Sequence, residues 1–180
     1  MRAAPMRTFH RSYSRLSIAL HWLMLALLVA VYAAILLREE YPRGSDIREA
    51  LKAWHFSLGL SVFILVGLRA VARLLHRGRS HARGFFGIAA AAMHLALYAF
   101  MIAMPLLGWT VLSAEGDPIQ LFGLPLPPLT GPNEALAEQA ETIHETLGTV
   151  GYWLVGLHAA AALMHHYVLR DGTLRRMTAW

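Results

Sequence analysis

The 180-residue sequence contains no cysteine. That absence excludes disulfides, thiolate-held iron–sulfur clusters and covalent attachment of a c-type haem through Cys-x-x-Cys-His. Charge is scarce as well: Asp, Glu, Lys and Arg make up 15% of the chain, where soluble domains carry roughly 25%. No internal repeat stands out that would argue for a duplicated half.

Apolar side chains fill the space that charge leaves, at 57% of the sequence and a mean hydropathy of +0.45. They gather in four runs, Leu16 to Leu37, Phe56 to Leu75, Phe86 to Leu112 and Leu147 to Leu169, and no acidic residue falls inside any of them. Each run is close to the roughly 20 residues a helix needs to cross hydrocarbon. The pattern predicts an all-α integral membrane four-helix bundle, a single domain over residues 1–180. The spans are expected at about 16–37, 54–75, 87–112 and 141–169. The first run follows a basic stretch, as a signal peptide would. Its apolar length exceeds the 7–15 residues usual for a signal core, and it carries His21, so it is read as a retained helix.

The charges sort by loop. Arg2, Arg7, Arg11 and Arg15 precede the first run; Arg69, Arg73, Arg77, Arg79 and Arg83 end the second run and fill its loop; Arg170, Arg175 and Arg176 follow the fourth. Arg38, Arg43, Arg48 and Lys52 share the other side with ten of the eleven acidic residues. By the positive-inside rule both termini are cytoplasmic. This topology accounts for the high pI without any nucleic-acid partner. Residues 113–140, with Pro118, Pro125, Pro127, Pro128 and Pro132, read as an outside loop rather than a further element. Asn133 is placed to cap the fourth helix, whose helical pattern begins at Glu134. Pro105 lies inside the third run, where neighbours can satisfy the freed carbonyl.

Ionisable residues inside membrane spans are rare and point to function. Of ten histidines, His10, His76 and His81 lie in polar, arginine-rich segments and read as surface. His144 and His158 are 14 residues apart, which puts them about 40° out of register and ~21 Å apart on one helix. By topology His55 shares the outer depth with His144, and His21 shares the inner depth with His158. Two imidazoles facing each other across a bundle hold a b-type haem, leaving an iron that exchanges electrons without binding oxygen or substrate. Glycine follows each outer histidine by one turn, as Gly59 and Gly148, and could let a flat ring approach; it could equally serve close helix packing. The run Ala159 to Ala162 stands in the same relation to His158.

Arg69 is 14 residues after His55, repeating the spacing of the fourth helix. It is expected on the haem-facing side at the inner level, paired with a propionate, while Arg73 snorkels. His94 lies near the inner depth and is the rival ligand; an interior hydrogen-bonded histidine is its simpler role. His165 and His166 sit at the cytoplasmic edge, where one could touch a quinone headgroup or face water. Glu141 and Glu145 are near His144 as candidate partners for its second nitrogen.

Taken together, Tyr13-Ser-Arg-Leu-Ser-Ile-Ala-Leu-His21-Trp22, His55-Phe-Ser-Leu-Gly59 with Arg69, His144-Glu-Thr-Leu, and Gly156-Leu-His158-Ala-Ala-Ala-Ala-Leu-Met-His165-His166-Tyr167 resemble the bacterial cytochrome b561 family of small four-helix di-haem membrane cytochromes. The resemblance spans nearly the whole chain. It implies two non-covalent haem b groups on His21, His55, His144 and His158, an inner-membrane location and electron exchange with ubiquinone. Some members of the family oxidise superoxide at the outer face, which would make this chain a superoxide:ubiquinone oxidoreductase. Others are membrane anchors and electron conduits of hydrogenases or other dehydrogenases. The outer segments hold four basic against ten acidic residues, so bulk steering of an anion is not favoured. Arg43, Arg48 and Lys52 lead directly to His55 and could form a local patch. A haem-free histidine transporter or metal site is disfavoured, because the runs lack carboxylates and alternating access generally needs more helices.

Overall fold

The computed structural model describes residues 14–75 and 84–178. Four long helices carry the fold: α1 (Arg15–Glu39), α2 (Asp46–Leu75), α3 (Phe85–Glu115) and α4 (Glu134–Tyr167), followed by a short α5 (Thr173–Thr178). All four long helices are sufficiently apolar to span a bilayer, and the chain is a multi-pass membrane protein. Large apolar side chains face outward, with Trp153 79% and Ile88 73% exposed, where lipid tails take the place of a protein partner.

The helices are longer than the apolar runs. Asp46 and Glu49 begin α2 and Glu134 begins α4, carboxylates that suit the positive end of a helix dipole. Asn133 caps α4 by accepting from the Leu136 N–H at 3.1 Å, and Ser14 caps α1 through Ser17 N–H at 3.2 Å. At the far end of α3, Gly116 takes a left-handed φ of 79°, a conformation glycine adopts without steric cost.

Residues 113–140 are less loop-like than their prolines suggested. Their first three residues complete α3 and residues from Glu134 onward belong to α4. Between them β1 (Gln120–Leu121) pairs antiparallel with β2 (Leu124–Pro125). The connecting Phe122 and Gly123 both have positive φ, 50° and 84°, as a tight two-residue hairpin turn requires. Phenylalanine is an unusual choice there. Its N–H takes the Ser57 hydroxyl at 3.1 Å and its ring packs on Trp54 at a centroid separation of 5.7 Å, tertiary contacts that no local turn signal announces. The hairpin is tied to α2 and lies over one end of the bundle, called here the hairpin end.

In the bundle α1 packs on α2 and α3 on α4, while α2 against α3 is the lesser seam. The result is two helical hairpins laid face to face. Met24, Val62, Leu65, Val66, Phe100 and Met101 form the buried cluster joining them. At the turn from α1 to α2, Arg48 is 8% exposed and donates to the carbonyls of Arg38 and Tyr41, each at 2.9 Å. It thereby adds a charged donor to the carbonyls at the negative end of α1 and in the turn beyond it.

Candidate functional site

Histidines of the α1–α2 hairpin meet histidines of the α3–α4 hairpin across the space between the two, called here the slot. His55 of α2 meets His144 of α4 with ring centroids 6.1 Å apart. His21 of α1 meets His158 of α4 at 6.2 Å. The two pairs lie at different heights because His144 and His158 are separated by four turns of one helix. His94 of α3 joins the second pair, 5.7 Å from the His158 ring.

At the hairpin end, His55 Nδ1 lies 3.0 Å from the Val31 carbonyl. A carbonyl only accepts, so Nδ1 carries the proton and Nε2 is left with a free lone pair. His144 Nδ1 is buried against α3, with the Met104 carbonyl beside it but outside good hydrogen-bond geometry. A Cβ at Gly108 would sit 3.4 Å from His144 Cε1, so the bare α-carbon of Gly108 defines the space this ring occupies. Glu141 and Glu145 are exposed and make no hydrogen bond to His144. Nor is there a cationic patch of Arg48 and Lys52. Arg48 is buried and bonded to Glu39 at 3.1 and 3.3 Å, Lys52 pairs with Asp117 at 2.8 Å and Glu115 at 3.6 Å, and Arg43 is exposed.

At the other end, Arg69 Nη1 stands 2.9 Å from His21 Nδ1. A guanidinium has no acceptor, so here Nδ1 accepts and a neutral ring carries its proton on Nε2, the reverse of His55. His94 Nδ1 is held by the Ala90 carbonyl at 2.6 Å, leaving its Nε2 as the lone-pair nitrogen. Beyond this level, His165 Nδ1 bonds Asp171 at 2.8 Å, which ties the end of α4 to the start of α5. His166 Nδ1 is buried without a partner among the described residues. His10, His76 and His81 lie outside the described residues.

Between the two levels the slot is crossed by Tyr32, whose hydroxyl donates to the Gly148 carbonyl at 2.8 Å and whose ring packs on Tyr152 at 4.5 Å. Gly151 is buried directly beside it. A Cβ there would collide with the Tyr32 hydroxyl and the Phe100 ring. Of the glycines singled out from sequence, Gly148 faces Met104 Cε at 3.7 Å and Gly59 has open space around its α-carbon. Gly108 and Gly151 were missed. Gly151 carried a signal, since it is seven residues from both His144 and His158 and so shares their face.

The geometry can be tested against a metal held between imidazoles. A metal–nitrogen bond of about 2.0 Å on each side and ring centroids about 1.2 Å behind the nitrogens put the two rings roughly 6.3 Å apart. Both pairs are within 0.2 Å of that. Edge-to-face ring packing spans the same range, so the separations are compatible with a metal between the rings and with direct ring contact. Among the described residues no group of three or more His, Cys, Asp or Glu could hold a bare ion, whereas a protein-held zinc needs at least three such ligands. Two imidazoles at each level would suit a metal whose other ligands come from a macrocycle. His55, with its proton on Nδ1, leaves Nε2 free for a metal, whereas His21 accepts from Arg69 at Nδ1 and holds its proton on Nε2.

Comparison with known proteins points the same way. The family model for prokaryotic cytochrome b561 matches residues 12–180. Cytochrome b561 homolog 1 of Escherichia coli (strain K12) is 33% identical over 168 residues, 92% of this chain and 96% of its own. Probable superoxide oxidase CybB of Yersinia pestis is 35% identical over 172 residues, 93% of this chain and 96% of its own. Cytochrome b561 homolog 2 of E. coli is 30% identical over 173 residues, 92% and 90% of the respective chains.

Proposed function

The chain belongs to the prokaryotic cytochrome b561 family, and from that premise we propose that it is a di-haem carrier passing single electrons between a donor on the hairpin side and ubiquinone. Family membership carries the coarser part, a multi-pass membrane protein that binds b-type haem. The finer part rests on one observation: imidazoles paired across the slot at two heights, 6.1 and 6.2 Å apart. In this reading His21 with His158 and His55 with His144 would hold the two haem irons, and Gly59 and Gly148 would leave room for the macrocycles. Bound there, haem supplies a reversible one-electron couple with no open coordination site.

The chain's own residues prepare that site. The Val31 carbonyl fixes the His55 ring and keeps its Nε2 unprotonated, the form a metal needs. With haem bound, Arg69 would pair with a propionate and release His21 Nδ1, so that the ring could carry its proton there and present Nε2. The basic segments of the sequence support a topology with both termini in the cytoplasm and the hairpin on the far side of a bacterial inner membrane. Superoxide is the donor suggested by the name of the Yersinia pestis relative.

A second reading, the membrane conduit of a larger dehydrogenase complex, draws support from the hairpin end itself. Arg48 and Lys52 are already paired with carboxylates, which takes two of the four cations on that side out of the pull on an anion. Purification distinguishes the two: a lone protein reducing ubiquinone with superoxide supports the first, co-purification with a dehydrogenase the second. The cofactor reading is tested by a reduced-minus-oxidised spectrum with pyridine haemochrome quantification. Two b haems per chain are expected. A colourless protein from iron-replete cells sinks both readings.

A further inference from the structure

Among the described residues, Arg38 is the arginine at the hairpin end with a buried donor left unused. Arg48 holds both oxygens of Glu39, and Arg38 reaches that same carboxylate only through Nη1 at 3.4 Å, beyond the usual length of such a bond. Its Nε is shut off from solvent and has no hydrogen-bond partner among the described residues, although the side chain as a whole is 25% exposed. Leaving a buried donor of a charged group unmade is costly. Lys52 differs, since two carboxylates already surround it.

The position of Arg38 gives this donor a use. It lies seven residues after Val31, two turns along the same face of α1, and the Val31 carbonyl is the group that holds His55. Its charge is within electrostatic reach of His55 and of Lys52. Each histidine pair therefore has one arginine close by, Arg69 at His21 and Arg38 above His55. A planar guanidinium with a buried donor is complementary to a carboxylate or a similar oxyanion, which it can grip with two parallel bonds.

We infer that Arg38 binds a carboxylate or other small oxyanion at the mouth of the slot, over the His55–His144 pair. The inference rests on the di-haem reading. Two sources share the chemistry: a carboxylate carried by the bound macrocycle, and a free oxyanion arriving from the hairpin side.

The test uses purified holoprotein with Arg38→Gln and Arg38→Lys. Haem loss to excess apomyoglobin and both midpoint potentials are measured, the latter with and without sulfate at constant ionic strength. If the macrocycle supplies the carboxylate, one haem leaves Arg38→Gln about tenfold faster, the other is unchanged, and Arg38→Lys is intermediate. If the oxyanion is free, haem loss is the same in all three, and sulfate shifts one midpoint saturably in the unmodified protein but not in Arg38→Gln. Equal haem loss without a saturable sulfate effect overturns the inference. Should Arg38→Gln not accumulate, Arg38→Lys serves in its place: faster loss of one haem or a weakened sulfate response supports the inference, and no change in either again overturns it. An unmodified protein without two haems counts against the proposed function instead.

Discussion

Gly151→Ala offers the sharpest test of the packing at the centre of the slot. The methyl group lands on the Tyr32 hydroxyl and on the Phe100 ring, with Phe100 Cε2 at 2.9 Å, closer than carbon atoms approach without movement. In an isolated helix alanine would be favoured over glycine by about 1 kcal/mol. Here overpacking costs about 2 kcal/mol, and displacing Tyr32 from the Gly148 carbonyl costs roughly 0.6 kcal/mol, the average for a hydrogen bond between membrane helices. The balance is a loss of about 1.6 kcal/mol, on the order of tenfold in the unfolding constant. Unfolding in mixed micelles with rising SDS, followed by circular dichroism, measures it. Tyr32→Phe removes the nearest colliding atom, so the double variant should lose less than the two single losses added together. A Gly151→Ala protein as stable as the parent or more so, or strict additivity in the double variant, would refute the reasoning. Because Gly151 is about 10 Å along the axis from each histidine of α4, haem retention at both levels should weaken together.

Other perturbations separate the levels. Gly108→Leu drives a side chain into His144, whose Cε1 would lie 3.4 Å from even a bare Cβ. Haem content is expected to fall from two per chain to one, with Gly108→Ala keeping both; pyridine haemochrome counts them, and two haems in the leucine variant would contradict the assignment. Arg69→Ala should lower one of the two midpoint potentials by on the order of 59 mV, a tenfold change in a one-electron equilibrium, read by redox titration; unchanged potentials and occupancy would remove Arg69 from the site. Outside the membrane, burial works against the Asp171 carboxylate, but hydrogen bonds from Thr173 and His165 overcome it and hold its pKa down to about 2 from 3.8. A depressed carboxylate contributes stability above its unfolded pKa and loses it as pH falls through the folded one. Amides of α5 should therefore stay protected from hydrogen exchange at neutral pH and lose protection between pH 4 and 2, whereas Asp171→Asn should expose them already at neutral pH.

What could be read from the chain alone is what lies within a single helix. Four apolar runs without carboxylates define four spans, and 3.6 residues per turn places His144 and His158 on one face at two depths whatever they pack against. Asn133 before Glu134 marks a helix start by the same local logic. Relations between helices had no such signal. That His55 faces His144 while His94 stands as near His158 as His21 does, that Arg69 bonds His21, that Arg48 and Lys52 are consumed by carboxylates, and that Gly151 makes way for Tyr32 all follow from how two helical hairpins rotate and slide against each other. That rotation is set by side chains from distant segments packing at once, and in lipid, where burial of apolar surface does not drive association, small residues and interhelical hydrogen bonds decide it.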